Sequence, residues 1–427
     1  MKNCKQNQKI NQVKPETLVV GIDIGASTHY ARVFDWRGVE LSGVFRFSND
    51  GEGYGSFYTW LQKNQKKHGK TEIIAGCEPT GHYWFNLDDY LREKDIKLVI
   101  VNPYAVKQSK ELDDNSQTKS DRKDPMVIAK LVTEGRYSVP YRPTGVYADL
   151  REMMVNRERI MRDLCKVKNR LARWFSIYFP EYREVFGSYE CVSSLLILKV
   201  ASTPKALIEL GPEGINQVWR EAKLRAVGKK RAMTLYEAAQ RSTGSKEGNT
   251  GAEWEMKLLL QDYQAKQAQY EEIMKAIEEL CLEIPESQKL MAIKGIGLIA
   301  VAGFLAEVGD IRRFNTPKEI QKLAGLSLRE NSSGIHKGQT TISKRGRSRL
   351  REVLFNAVIP LISTNEEFRE LHRYFTTREV NPLKKKQSII AICNKLIRVF
   401  YAILTTGEEY DGQRMLSDIH RNTPVAA

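Results

Sequence analysis

Two aspartates three residues apart, Asp121 and Asp124, sit in the run Lys119-Ser-Asp-Arg-Lys-Asp124. On a helix, or at its edge, that spacing points both carboxylates to one side. Converging carboxylates repel unless a cation lies between them, and the flanking Lys119 and Lys123 attract a polyanion. The combination suits a hard divalent ion working on a nucleic-acid backbone, magnesium first, with manganese as a substitute. The competing reading is a solvated loop of mixed charge, and so short a motif decides nothing alone. Asp124 also precedes Pro125 and an apolar run, so it can serve as a helix cap and not a ligand.

The elements that must position these acids lie upstream. Leu18–Asp23 is an apolar run that ends in an aspartate, the pattern of a buried strand delivering an acid at its tip. His29–Asp35 and Glu40–Phe47 alternate as two further strands, with a turn at Trp36-Arg-Gly38. A helix is expected around Gly53–Lys67, a strand at Ile73–Cys77 ending at Glu78, a helix near Tyr83–Glu93, a strand at Lys97–Val101, and helices after Pro103 and over Met126–Glu134. This order predicts a mixed sheet with helices on its faces, the element order of the ribonuclease H-like fold. Acids at strand ends gather at one edge of such a sheet. Asp23 and Glu78 are therefore candidate partners of Asp121 and Asp124, set against plainer roles as a turn residue and a helix-start acid.

From Ala148 the period becomes helical. Leu150, Met153, Ile160, Leu164, Val167, Leu171, Trp174 and Tyr178 form one seam, with Arg157 as its polar break. Met256, Leu259, Tyr263, Tyr270, Ile273, Ile277 and Leu280 form another, broken by Lys266. Two long helices are expected, as a coiled coil with each other, as a dimer contact, or as ordinary packing within one domain. Between them Glu181–Ser242 reads as a helical insert and Ser242–Gly251 as a flexible loop. Gly295-Ile-Gly297 between apolar helical stretches has a helix–hairpin–helix pattern, in which glycines let a phosphate approach a helix N-terminus. Next come Ser332-Ser333-Gly334, Lys337, Lys344, Arg345 and Arg347. These are either a basic DNA-binding loop or a serine nucleophile among phosphate-binding cations. The boundaries are a disordered tail at 1–16, a catalytic domain at 17–147, a coiled-coil and helical middle at 148–285, a C-terminal domain at 286–406 and a tail at 407–427.

The chain has 427 residues, 41% hydrophobic and 28% charged, with 67 Lys+Arg against 52 Asp+Glu, a net charge of +15. The balance favours a polyanionic partner, nucleic acid before acidic membrane. Six scattered cysteines without a C-x-x-C pair argue against a zinc site or a disulfide framework. No membrane-spanning run or signal peptide stands out, so a cytoplasmic location is expected.

Together the residues resemble the DEDD transposases of bacterial insertion sequences (insertion-sequence family one-ten). The resemblance runs over roughly residues 18–405 and is carried by GIDIG with Asp23, CEPTG with Glu78, KSDRKD with Asp121 and Asp124, the KGIG turn, and SSG…KG…ISKRG with Ser333. It implies a RuvC-like, ribonuclease H-like domain, a coiled-coil middle and a helical C-terminal domain carrying the catalytic serine. It further implies magnesium-dependent DNA strand exchange through a serine–DNA link, directed by a noncoding RNA from the element. Donor and target DNA, and a dimer or tetramer with a composite active site, come with it. Proline at 125 replaces the small residue of the family pattern, which leaves the orientation of Asp124 open. The serine directly before glycine, Ser333, is chosen over Ser332. Three other readings remain: a Holliday-junction-resolvase-like nuclease without a covalent step, an actin-like ATPase or sugar kinase suggested by GIDIGAST, and a catalytically silent nucleic-acid-binding protein.

Overall fold

A computed structural model describes residues 5–113, 124–329, 332–333, 336–337 and 340–420. They fall into two compact units, Met1–Arg142 and Pro143–Ala427. In chain order the first unit holds α1 (Lys5–Ile10), β1 (Thr17–Asp23), β2 (Thr28–Phe34), β3 (Glu40–Ser48), α2 (Gly51–Lys67), β4 (Glu72–Cys77), α3 (Phe85–Glu93), β5 (Lys97–Val101), α4 (Pro103–Asp113), α5 (Asp124–Thr133) and β6 (Tyr137–Ser138).

The strands form one mixed sheet in the order β3-β2-β1-β4-β5-β6. β1 runs antiparallel to β2 and parallel to β4, and β4 runs parallel to β5. Strand β1 is buried on both faces, which is why it reads as a continuous apolar run and not as an alternation. Leu18, Val20 and Ile22 pack with Phe57 and Leu61 of α2 and Leu87 and Leu91 of α3 on one face. Val19 joins Ile74, Val99 and the Ile128, Leu131 and Val132 side chains of α5 on the other. Each such buried side chain contributes about 1.5–3 kcal/mol. Helix α2 starts where Asp50 accepts the Gly53 N–H at 2.7 Å, and ends in Lys66 and Lys67, matching cap and dipole.

Residues 5–16, expected as a disordered tail, are ordered. Tyr137 Oη donates to the Lys9 carbonyl at 3.2 Å and to Gln12 Oε1 at 3.0 Å, and Val13 is buried. The anchor is Tyr137 of β6, a two-residue edge strand too short to leave a periodic signal.

The second unit contains α6 (Val146–Tyr178), α7 (Tyr182–Val185), α8 (Val192–Val200), α9 (Pro204–Glu221, broken at Gly211), α10 (Lys229–Gln240), α11 (Asn249–Leu282), α12 (Ser287–Met291), α13 (Leu298–Val308), α14 (Pro317–Leu323), strands β7 (Leu328–Arg329), β8 (Ser332–Ser333), β9 (His336–Lys337) and β10 (Thr341–Ile342), then α15 (Ser348–Thr364), α16 (Glu366–Thr377), α17 (Lys385–Thr406) and α18 (Gly412–His420). The two expected seams pair with each other. Leu150 and Met154 share a core with Ile273, Ile277 and Cys281, whereas Leu164, Leu171 and Phe175 share another with Ala252, Met256 and Leu259, so α6 and α11 run antiparallel.

The 242–251 stretch is not a free loop. The buried Glu181 carboxylate accepts from Ser242 Oγ at 2.7 Å, Thr243 N at 2.9 Å and Thr243 Oγ1 at 2.8 Å, and α11 already begins at Asn249. Nor is 407–420 a mere tail, since Met415 and Leu416 of α18 enter the C-terminal core. Helix α17 is long and apolar enough to cross a membrane by length and composition, contrary to the expectation that no stretch would qualify. Its Ile392, Cys393, Leu396, Ile397 and Phe400 instead fill the core of this unit, where Phe400 meets Phe304 edge-on at 5.0 Å.

Candidate active site

Register explains how the sheet gathers its acids. Gly21 of β1 lies opposite Gly76 of β4, and Ile22 opposite Cys77. Asp23 and Glu78 are therefore the next residues along two adjacent parallel strands, at the same end of the sheet. Side-chain alternation puts Asp23 with Val19 and Gly21, and Glu78 with Ile74 and Gly76, on the face that α5 covers. Both acids are half-buried.

Helix α5 reaches that face because both strands present glycine to it. A Cβ on Gly21 would collide with the Pro125 carbonyl oxygen and lie 2.7 Å from its carbon, and a Cβ on Gly76 would lie 2.5 Å from Val132 Cγ2. The glycine pair forms a seat for the helix, and Asp124, its first residue, arrives beside the strand that ends in Asp23. A glycine inside a strand pattern signals close approach of another backbone, so this seat was readable in VVGID and IAGCE.

Asp124 is the first helical residue of α5 and not the residue before it, so Pro125 follows inside the first turn. The Asp124 Oδ2 pairs with Lys110 Nζ of α4 at 2.5 Å, and Oδ1 is buried with no hydrogen-bond partner among the described residues. Nothing in the sequence spacing pointed to Lys110, fourteen residues upstream on a different helix. Beside the sheet end, His29 Nδ1 accepts the Gly25 N–H at 3.3 Å and braces the turn after Asp23. Burial lowers the His29 pKa, with a hydrogen bond to Asn49 opposing, which suits a neutral acceptor. A further acid, Asp88 of α3, is almost fully buried and held by Arg92 at 2.8 Å, with Arg142 at 3.6 Å. Burial raises its pKa against the pull of Arg92.

Asp121, Lys119 and Lys123 lie outside the described residues. Among the described residues, no three His, Cys, Asp or Glu side chains close to metal-binding distance. The donor chemistry nevertheless fits a hard divalent ion, because Asp23, Glu78 and Asp124 offer only oxygen and one buried oxygen of Asp124 has no partner among the described residues.

In the second unit, Ser332 and Ser333 form β8, antiparallel to β9, with Ser332 opposite Lys337 and Ser333 opposite His336. Outside them, β7 pairs with β10, Leu328 opposite Ile342. The serine ladder lies in sequence between the two strands of the β7–β10 ladder. Its base is fixed by two interlocking turns. Gly325 has φ +69°, and a Cβ there would lie 3.0 Å from the Lys344 carbonyl carbon; one on Gly346 would lie 2.7 Å from Gly325 N. Lys344 and Arg345 extend from this base, exposed.

Arg347, expected at a nucleic-acid phosphate, turns inward. It bonds the Glu307 carbonyl and pairs with the Glu307 carboxylate at 3.4 Å. The two hairpin glycines also differ. Gly295 has φ +97° and would drive a Cβ to 3.1 Å from Leu361 Cα, so packing against α15 explains it, whereas Gly297 faces open space.

Comparison with known proteins matches both units. A DEDD transposase model of the IS110 family fits residues 20–180, and a model described as the transposase IS116/IS110/IS902 family fits residues 287–373. The chain is similar to the pilin gene-inverting protein of Moraxella bovis, 22% identical over 398 residues, covering 92% of this chain and 97% of that one. It is also similar to the transposase for insertion sequence element IS1111A of Coxiella burnetii, 27% identical over 141 residues, covering 33% of this chain and 38% of the other.

Proposed function

Since the chain belongs to the DEDD transposases of the IS110 family and acts on DNA, we propose that it cuts and rejoins DNA through a serine–DNA link. Asp23, Glu78, Asp121 and Asp124 would hold magnesium, or manganese in its place, through their carboxylate oxygens. Magnesium, when bound, neutralises charge on the attacking and leaving oxygens. The Ser333 hydroxyl gives up its proton and its Oγ bonds to phosphorus, while the bond from phosphorus to a sugar oxygen breaks and leaves a free hydroxyl. A hydroxyl of the partner strand then attacks the same phosphorus and releases the serine. One phosphodiester is kept throughout, so no nucleotide triphosphate is consumed. Lys119, Lys123, Lys337, Lys344 and Arg345 hold the backbone. An element-encoded RNA selects donor and target, and a dimer or tetramer in the cytoplasm brings acids and serine together.

The observation that carries this reading is the glycine seat. It brings the start of α5, where one buried Asp124 oxygen has no partner among the described residues, to the face where Asp23 and Glu78 end adjacent strands. The test is covalent trapping. Protein, element-end RNA, magnesium and labelled donor and target DNA are incubated and run on a denaturing gel. The expected adduct disappears in Ser333→Ala and in Asp23→Ala and persists in Ser332→Ala. Cleavage without an adduct, indifferent to Ser333, would establish the resolvase-like nuclease instead.

A further inference from the structure

Arg157 interrupts an apolar helical seam where a leucine or methionine would pack. Its guanidinium lies 5.7 Å from the Tyr270 ring centroid, and its Nε is buried with no hydrogen-bond partner among the described residues. An unpaired buried donor is a standing cost that an apolar residue at that position would avoid. The residue opens onto a groove of about 660 Å³ between α6, the 295–297 turn and α15. Arg162 and Arg349 line the same groove. Gly297 does too, and no atom within 4 Å would meet its Cβ, so a ligand can come against the backbone there.

Two acids share the lining. Glu158 is paired with Arg349 at 3.2 Å, and Glu352 lies beside it. Three guanidiniums against two carboxylates leave one net positive charge, enough for a single anionic group and not for a polyphosphate. Guanidinium forks match the oxygens of a phosphate, and the apolar floor made by Met154 and Val353 suits the sugar beside it.

We propose that this groove seats one backbone phosphate of a bound nucleic acid, held by Arg157, Arg162 and Arg349 beside the open backbone at Gly297. The inference rests on the DNA-directed function above for its partner, and it adds a binding point built on α6, the 295–297 turn and α15. DNA and RNA offer the same phosphodiester, so the ligand is named by that chemistry.

The test is fluorescence anisotropy with the full chain, on duplex DNA and on a structured RNA, across a range of salt. Arg157→Met preserves the apolar seam, Arg162→Ala alters an exposed side chain, and Arg157→Lys keeps the charge. Arg157→Met and Arg162→Ala should each weaken binding about tenfold, whatever the sequence. The slope of log affinity against log salt should fall by about 0.9 on duplex DNA for each phosphate no longer neutralised. Arg157→Lys should retain the slope, and thermal melting should match the wild type. Weakening confined to DNA, or to RNA, names the source of the phosphate. Wild-type affinity and slope in both variants would overturn the proposal and leave strand exchange standing. A shift in sedimentation with unchanged nucleic-acid binding would overturn it in favour of an interface between copies. No nucleic-acid binding by the wild type would overturn both.

Discussion

Gly21→Ala adds one methyl group where the structure has least room for it. The new carbon would lie 2.7 Å from the Pro125 carbonyl carbon, about 0.7 Å short of the 3.4 Å at which ordinary contact begins, and tighter still against the oxygen. The obstacle is helix backbone, with Ala129 N at 3.0 Å behind it, so no side chain can rotate away. Either α5 lifts from the sheet or β1 bends. Overpacking costs about 1–3 kcal/mol, and a backbone obstacle belongs at the top of that range. For a unit of this size that is a fall of roughly 10 °C in melting temperature. Lifting α5 also carries Asp124 away from Asp23, and a displacement near 1 Å at reacting groups can cost about a hundredfold in rate. Melting followed by circular dichroism reads the first effect, and metal-dependent DNA cleavage at a temperature where the variant is folded reads the second. Gly43→Ala in the edge strand β3 is the control, since its Cβ meets nothing and stability should hold. A Gly21→Ala protein that melts with the wild type and cleaves at its rate would refute the seat and the placement of Asp124 that depends on it.

Arg347→Ala strands the buried Glu307 carboxylate and should cost about 3 kcal/mol in urea unfolding, whereas the exposed Arg345→Ala should leave unfolding unchanged and reduce the salt slope of DNA binding. Burial pushes the Glu181 carboxyl up, but bonds from Thr243 and Ser242 outweigh it and hold the pKa at about 2, against an ordinary 4.5. Because the folded value is depressed, its stabilisation is complete above about pH 4.5 and is lost as pH falls toward 2. Glu181→Gln should remove that part of the acid-unfolding profile and destabilise the small helical bundle by about 2 kcal/mol at neutral pH.

The central strands were legible because burial on both faces leaves a run of apolar residues that little else produces. LVVGID and IIAGC became β1 and β4 within a residue or so. The helical seams were equally clear, since each repeats its apolar residues over many turns. The edge strand at Tyr137 was not, because two residues carry no period. The order of residues 5–16 was hidden for the same reason, being conferred by Tyr137 and not by the polar KQNQKI segment. At the site, Asp23 and Glu78 followed from strand ends, but the Lys110 pair joins two separate helices and no local spacing encodes it. The tie of Arg347 to Glu307 was not legible, because residue type alone cannot distinguish an arginine facing solvent from one paired with a buried carboxylate. Ser242–Gly251 misled in the opposite way, as a composition typical of mobile linkers is clamped by one distant glutamate.

The antiparallel pair of α6 and α11 sets a distance. At 33 and 34 residues these helices extend about 50 Å, with one core at each end. Measured along B-form DNA, 50 Å is about fifteen base pairs. The C-terminal core covers one half of this length and the small bundle the other, meeting between Ile160 and Met161, so one seam holds the two in fixed register. Adding one turn to both helices would lengthen the pair by about 5.4 Å, whereas adding a turn to only one would break the seam that keeps it straight.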